Sequence, residues 1–154
     1  IEVGESLSFD KQVQVTFFEM DNPGSSYAIK LTMNGKSMVY ATDNELNLAF
    51  EDDATPKTER GVAYLEYIKD VDFLIADGQY TVEEYKGKEG WGHTTADLAL
   101  RVAKKAGVKK VSIFHHDPMH TDSFLDDMSL DLIEAYNDSA MEVFWAREGL
   151  SISF

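Results

Sequence analysis

Apolar positions in the first third of the chain recur every second residue or bunch into short runs between turn residues. The segments Ser6-Leu7-Ser8-Phe9, 13–18 and 27–31 carry this pattern, which predicts half-buried strands. Asn34-Gly35 predicts a hairpin returning along 37–40, since both residues accept positive φ and a turn of that hand matches the twist of paired strands. Asn22-Pro23-Gly24-Ser25-Ser26 marks a second turn. After the acidic stretch 51–56, expected as a solvated loop, the period lengthens, and Val62, Leu65 and Ile68 line one side of a helix predicted over 58–69. Beyond it strands and helices alternate, with strands over 72–77, 110–114 and 142–146 and helices over 94–106 and 121–137. Thr94 and Asp97 form a capping-box variant, Leu98, Ala99, Val102 and Ala106 an apolar face, and Gly107 a stop. In the last helix Phe124, Leu125, Met128, Leu132 and Tyr136 form a stripe predicted to be buried core. The class is α/β (α+β), without internal repeats or linkers, and 154 residues make one domain or part of one.

Charge and composition narrow the partners. Lys and Arg total 14 against 28 Asp and Glu, a net charge of −14, so the average field repels phosphate backbones. A small-molecule substrate is therefore expected and a nucleic-acid partner disfavoured. The absence of cysteine excludes disulfides and thiolate metal sites, leaving His, carboxylates and water as ligands. No apolar run is long enough to cross a bilayer and no leader is recognisable, so the expectation is a cytoplasmic protein with no membrane partner. The first residue is Ile rather than Met, which leaves room for an upstream segment. Assembly into a homo-oligomer stays open.

Chemistry-bearing residues gather where predicted strands end. His115-His116-Asp117-Pro118 follows the run 111–114, Asp43 follows Met38-Val39-Tyr40, and Gly90-Trp91-Gly92-His93-Thr94-Thr95 precedes a helix. Such strand ends are where sites are built. Each motif also has a structural reading: Asp43 and Asp77 as turn caps, the His pair as loop residues, and His93 bonded to backbone. Gly90, Trp91 and Gly92 are expected to shape their loop rather than touch substrate, and their spacing matches neither a P-loop nor a dinucleotide fingerprint. His120 and Asp122 are expected in a surface turn leading into the cap of the last helix.

Asp77-Gly78-Gln79-Tyr80-Thr81, Gly90 to Thr95 and Phe114-His115-His116-Asp117-Pro118 stand in that order after Asn34-Gly35-Lys36 and Tyr40-Ala41-Thr42-Asp43-Asn44-Glu45. Together they resemble the metallo-β-lactamase-fold hydrolases, in particular a phosphodiesterase-like subgroup, over nearly the whole chain. The resemblance implies an αββα sandwich of which residues 1–154 are the C-terminal half. The N-terminal half, with its His-x-His-x-Asp-His motif, lies outside this sequence and is itself an expected partner. It further implies two divalent metal ions, zinc first and iron or manganese as alternatives. Asp43 matches the carboxylate between the metals and His115 the last His ligand, with His116 and Asp117 supporting them and Asp77 and His93 as a proton relay. Asn22 stands where relatives carry the His of His-Pro-Gly, and an amide oxygen is the weaker donor, so that metal position is expected to be weak or empty. The implied activity is hydrolysis, of a phosphodiester before an ester or amide, by a metal-activated water. The alternative is a non-catalytic binding or regulatory module with a degenerate metal site. A flavodoxin-like sheet is the alternative fold.

Overall fold

The computed structural model describes residues 6–8 and 13–154. Seven strands form one sheet in simple sequence order: β1 (Ser6–Ser8), β2 (Val13–Glu19), β3 (Tyr27–Met33), β4 (Lys36–Ala41), β5 (Phe73–Asp77), β6 (Lys110–Phe114) and β7 (Glu142–Trp145). Pairing is antiparallel from β1 to β4 and parallel from β4 to β7. This consecutive order excludes the flavodoxin-like alternative, whose strand order reverses beside its site. Phe9, expected in the first strand, lies outside the described residues. The β3–β4 hairpin turns at Asn34 and Gly35 with φ of 52° and 77°, as their sequence predicts.

Helices connect the parallel strands: α1 (Leu46–Ala49) and α2 (Glu59–Tyr67) between β4 and β5, α3 (Val82–Tyr85) and α4 (Ala96–Lys105) between β5 and β6, and α5 (Asp122–Tyr136) before β7. Register explains the core. Val39, Leu74, Val111 and Val143 are neighbours across the parallel strands, as are Ala41, Ala76, Ile113 and Trp145, so both rows point to one face. All eight are buried, in one cluster with Leu98, Leu100, Val102, Tyr64 and Ile68 of the helical layer. The opposite face carries Tyr40, Ile75, Ser112 and Phe144, and beside them Phe73 and Phe114. The C-terminal segment crosses it, with Phe154 against Phe73 at 5.2 Å and Leu150 and Ile152 lining a cleft beside Tyr40 and Phe114. Tyr40 and Phe114 each stay 39% exposed, whereas parallel sheets are as a rule covered on both faces.

Three helix expectations need correction. Val62 is 57% exposed, because α2 packs through Gly61, Tyr64 and Ile68 instead. Any Cβ at Gly61 would run into the Ala49 carbonyl, and that close approach of α2 to α1 turns Val62 outward. The cap of α4 is Thr95, which accepts from Leu98 N, while Thr94 is engaged elsewhere. On α5 the expected stripe is only half-buried and Phe124 is 39% exposed, at the rim of an open groove shared with Val82 and Met128.

Candidate metal and proton-transfer site

β4, β5 and β6 run parallel, so the residues just past their ends meet at one edge of the sheet. Asp43 and His115 both turn there with positive φ, 57° and 60°. That left-handed conformation costs a residue with a Cβ about 1–2 kcal/mol, although Asp and His tolerate it better than most. Strain of this kind gathers where a site demands a particular side-chain direction. The two side chains converge, His115 Nε2 lying 3.7 Å from Asp43 Oδ1. The His93 ring is 4.8 Å from the His115 ring, centroid to centroid. One donor atom each from Asp43, His93 and His115 falls within 4.8 Å of the others, a group of ligand type and spacing that fits a divalent metal.

Asp77, the last residue of β5 and buried, organises this group from behind. Its Oδ2 accepts from Asp43 N at 3.0 Å, from Asn44 N at 3.4 Å and pairs with His93 Nδ1 at 2.9 Å. Its Oδ1 accepts from Thr94 N and Gln79 N, both at 3.2 Å. His115 Nδ1 lies 3.5 Å from the same Oδ2. Burial pushes the Asp77 carboxyl up, but the imidazoles of His115 and His93 and the Thr94 N–H outweigh it and hold the group below its ordinary value. Reciprocally, the Asp77 carboxylate, opposed by burial and helped by Asp43, raises the His115 imidazole above its ordinary value. With Nδ1 of His93 taken by Asp77, its Nε2 is the nitrogen left for chemistry.

The other residues named from the sequence serve elsewhere. Asn22 accepts from Gly24 N through Oδ1 at 2.9 Å and donates to the Gly92 carbonyl through Nδ2 at 3.2 Å, so both ends of its amide are engaged. His116 stacks on Trp145 at 5.2 Å and 7° and contacts the Ala146 carbonyl with Nε2 at 3.2 Å, tying the end of β6 to β7. Burial lowers its imidazole below the ordinary value. Asp117 orients neither ring: Oδ1 accepts from Met119 N at 2.9 Å and Oδ2 faces Lys88 Nζ at 3.5 Å.

Two features escape the sequence reading. Glu45 is fully buried, and its carboxylate accepts from Tyr85 Oη at 2.6 Å, Gly90 N at 2.7 Å and Gly92 N at 2.6 Å. It fastens the loop before His93 from inside, and Thr94 Oγ1 adds a second tie by bonding the Asn44 carbonyl and Leu46 N. His120 closes the expected turn, its N–H on the Asp117 carbonyl at 2.9 Å, and Thr121 caps α5, but its side chain is buried, with Nε2 on Glu84 Oε1 at 2.7 Å. Glu84 also closes the capping box of α3 with Thr81. The run Thr81-Val82-Glu83-Glu84 is the sequence signature that marks this cap.

No protein-family model matches the chain. Among curated proteins it is 31% identical over 116 residues to a ribonuclease Z of Brevibacillus brevis, covering 75% of this chain and 34% of that protein. It is 39% identical over 57 residues to a ribonuclease Z of Sulfurisphaera tokodaii, covering 37% of this chain and 19% of that one. Among solved structures it superposes on the metallo-β-lactamase fold protein YhfI from Bacillus subtilis with a TM-score of 0.67 at 18% identity, over 97% of this chain and 53% of that one. On the short form of human tRNase Z the TM-score is 0.62 at 17% identity, over 96% of this chain and 46% of that one. The chain thus spans about a third of the first curated relative and about half of these solved structures. One sheet with its helical layer superposes over nearly the whole of this chain on part of those structures, so the chain has the metallo-β-lactamase fold, and in sequence it is similar to part of the ribonuclease Z proteins.

Proposed function

We propose that this chain is the C-terminal half of a metallo-β-lactamase-fold domain whose complete form hydrolyses a phosphodiester. In this reading Asp43 and His115 hold a divalent metal, zinc first, and Asp77 with His93 moves the proton. The observation that carries it is the convergence of donors from Asp43, His93 and His115 in front of one buried carboxylate. A divalent ion bound there would act as a Lewis acid and lower the pKa of a coordinated water. Asp77 Oδ2, bonded to His93 Nδ1, keeps that ring in one tautomer and leaves Nε2 as the atom that exchanges a proton with a leaving oxygen. An upstream half is supported by the apolar sheet face bearing Tyr40 and Phe114 and by the greater length of the relatives. The net charge favours a small substrate, but the curated relatives are ribonucleases by name, so charge alone does not set nucleic acid aside.

The test measures metal content and hydrolysis of bis(p-nitrophenyl) phosphate on the complete protein. Asp43→Ala and His115→Ala should lose metal and rate together. His93→Ala should keep its metal while the rate falls by about 10²–10⁴-fold, the range of general acid–base catalysis. Metal loss in His93→Ala equal to that in His115→Ala would make His93 a ligand and remove the relay.

Asn22 favours a second reading, a binding or regulatory module with a degenerate metal set, because its amide is held by Gly24 and Gly92 and offers a metal only one remaining lone pair of a weak oxygen donor. That reading expects fewer than two tight metals per chain, and more after Asn22→His. Two tight metals in the wild type, unchanged in content and rate by Asn22→His, would dismiss it.

A further inference from the structure

Trp91 does not shape its loop by packing, since it is 62% exposed. Glu45 does the shaping, through the backbone N–H groups of Gly90 and Gly92. Gly92 adds a steric lock: its φ is 92°, and a Cβ there would collide with the Asn22 amide and lie 2.7 Å from the Pro23 ring. Asn22 Nδ2 holds the Gly92 carbonyl, and Trp91 N bonds the Lys88 carbonyl at 3.1 Å to close the turn. A loop fastened at so many points thus holds a bare indole in water, two residues before His93. In the same turn, Lys88 Nζ sits 3.9 Å from the centroid of the Tyr80 ring, and the Tyr80 ring meets His93 edge-on at 6.2 Å. The Lys88 side chain is 27% exposed, and its nearest carboxylate, that of Asp117, is at the long distance of 3.5 Å.

We propose that Trp91 and Lys88 form a substrate subsite, the indole stacking on a planar ring of nucleobase size and the ammonium taking an adjacent phosphate. The proposal rests on the phosphodiester reading for the reason a phosphate is present, and adds what that reading lacks, the class of group carried on the phosphate. Physical chemistry favours it on three counts. A rigid aromatic offers contact area with little side-chain entropy to lose. Stacking accepts any ring with a π face. A cation beside the candidate site supplies the local attraction that a chain of net charge −14 otherwise denies to an anion. The indole is also not part of the face that awaits a cover: that face carries Tyr40, Phe73 and Phe114, whereas the Trp91 loop is joined to α3 through Tyr85 and to the start of α1 through Glu45.

The experiment is a calorimetric titration of the complete protein and each variant with AMP, ribose 5-phosphate and inorganic phosphate, with tryptophan fluorescence of the wild type followed in parallel and Trp91→Phe as the reference that isolates Trp91 emission from that of buried Trp145. AMP should quench Trp91 and bind about 10-fold more tightly than ribose 5-phosphate, the scale of one base stacked on an aromatic side chain. Trp91→Ala should abolish that ring preference, and Trp91→Phe should keep most of it. Lys88→Gln should weaken AMP and ribose 5-phosphate by the same factor and leave the ring preference intact. Equal affinity of AMP and ribose 5-phosphate in the wild type, or a ring preference that survives Trp91→Ala, overturns the stacking role. Failure of acrylamide to quench Trp91 in the complete protein overturns it too, since the indole would then be covered. Unchanged phosphate affinity in Lys88→Gln overturns the role of that residue. Because the readout is binding, an absence of diester hydrolysis would sink the catalytic reading alone, while hydrolysis without ring preference would sink the subsite alone.

Discussion

β5 begins and ends beside a carboxylate, and the two are handled in opposite ways. Asp72, just before the strand, accepts from Ser37 N at 2.8 Å and faces Lys109 Nζ at 2.8 Å and Lys36 Nζ at 3.4 Å. Lys109 leads in holding its carboxyl down to about 2, against a smaller opposing effect of burial, with Ser37 N and Lys36 assisting. Asp77, at the other end, has backbone N–H groups and imidazoles in place of lysines. Lysine stays charged throughout the neutral range, so the Asp72 end is a permanent ion cluster that closes the sheet. Imidazole gains and loses its proton near neutrality, so of the two ends only that of Asp77 can pass one on.

The largest effect expected from this contrast is at Asp77. Asp77→Ala leaves the N–H groups of Asp43, Asn44, Gln79 and Thr94 without their acceptor and should destabilise the protein by about 3–5 kcal/mol in urea unfolding, together with loss of activity. A cost under about 1 kcal/mol would make Asp77 no more structural than a surface carboxylate and erase the distinction. Asp72→Asn should cost less, about 1 kcal/mol, because its lysines are more than half exposed. Its pH signature is specific: a carboxyl lowered to about 2 contributes its stability in full above its ordinary value of 3.8, and loses it as the pH falls towards 2. Acid titrations should therefore show a shallower decline for Asp72→Asn in that window.

His115→Gly sharpens the comparison from the other side. Glycine relieves the left-handed turn and should stabilise chelator-treated protein at pH 8 by up to about 1 kcal/mol while removing metal binding and activity. The gain should shrink at pH 5. His115 is raised in the fold, so its protonated form adds stability that is complete below the unfolded value of 6.5 and fades as the pH rises through the folded one. A gain that grows on acidification would contradict the pairing with Asp77. The smallest effect belongs to Lys36→Ala, within about 0.5 kcal/mol, since Lys109 remains on Asp72.

Local pattern carried a large share of this structure into the sequence. The hairpin at Asn34-Gly35, the long strands and the three long helices follow from turn chemistry and from periods of two and 3.6 residues. The four-residue helices α1 and α3 are too short to show a period. Asp43 and His115 stand out through motifs at strand ends and His93 through the Gly-rich tract before α4, but the links between them and their supports do not. Glu45 bonds residues 45 and 47 positions away, and His120 meets Glu84 across 36.

By itself the sequence determined the longer elements, the turn positions and the kinds of donor available, because these depend on residues within a few positions of one another. The tertiary structure alone decided which donors share a site, because only parallel strands ending at one edge bring Asp43, Asp77 and His115 together. It also decided which carboxylate is locked by lysine and which is left to imidazole. Burial, and with it pKa, is a property of everything packed around a group, and most of those neighbours lie far away along the chain.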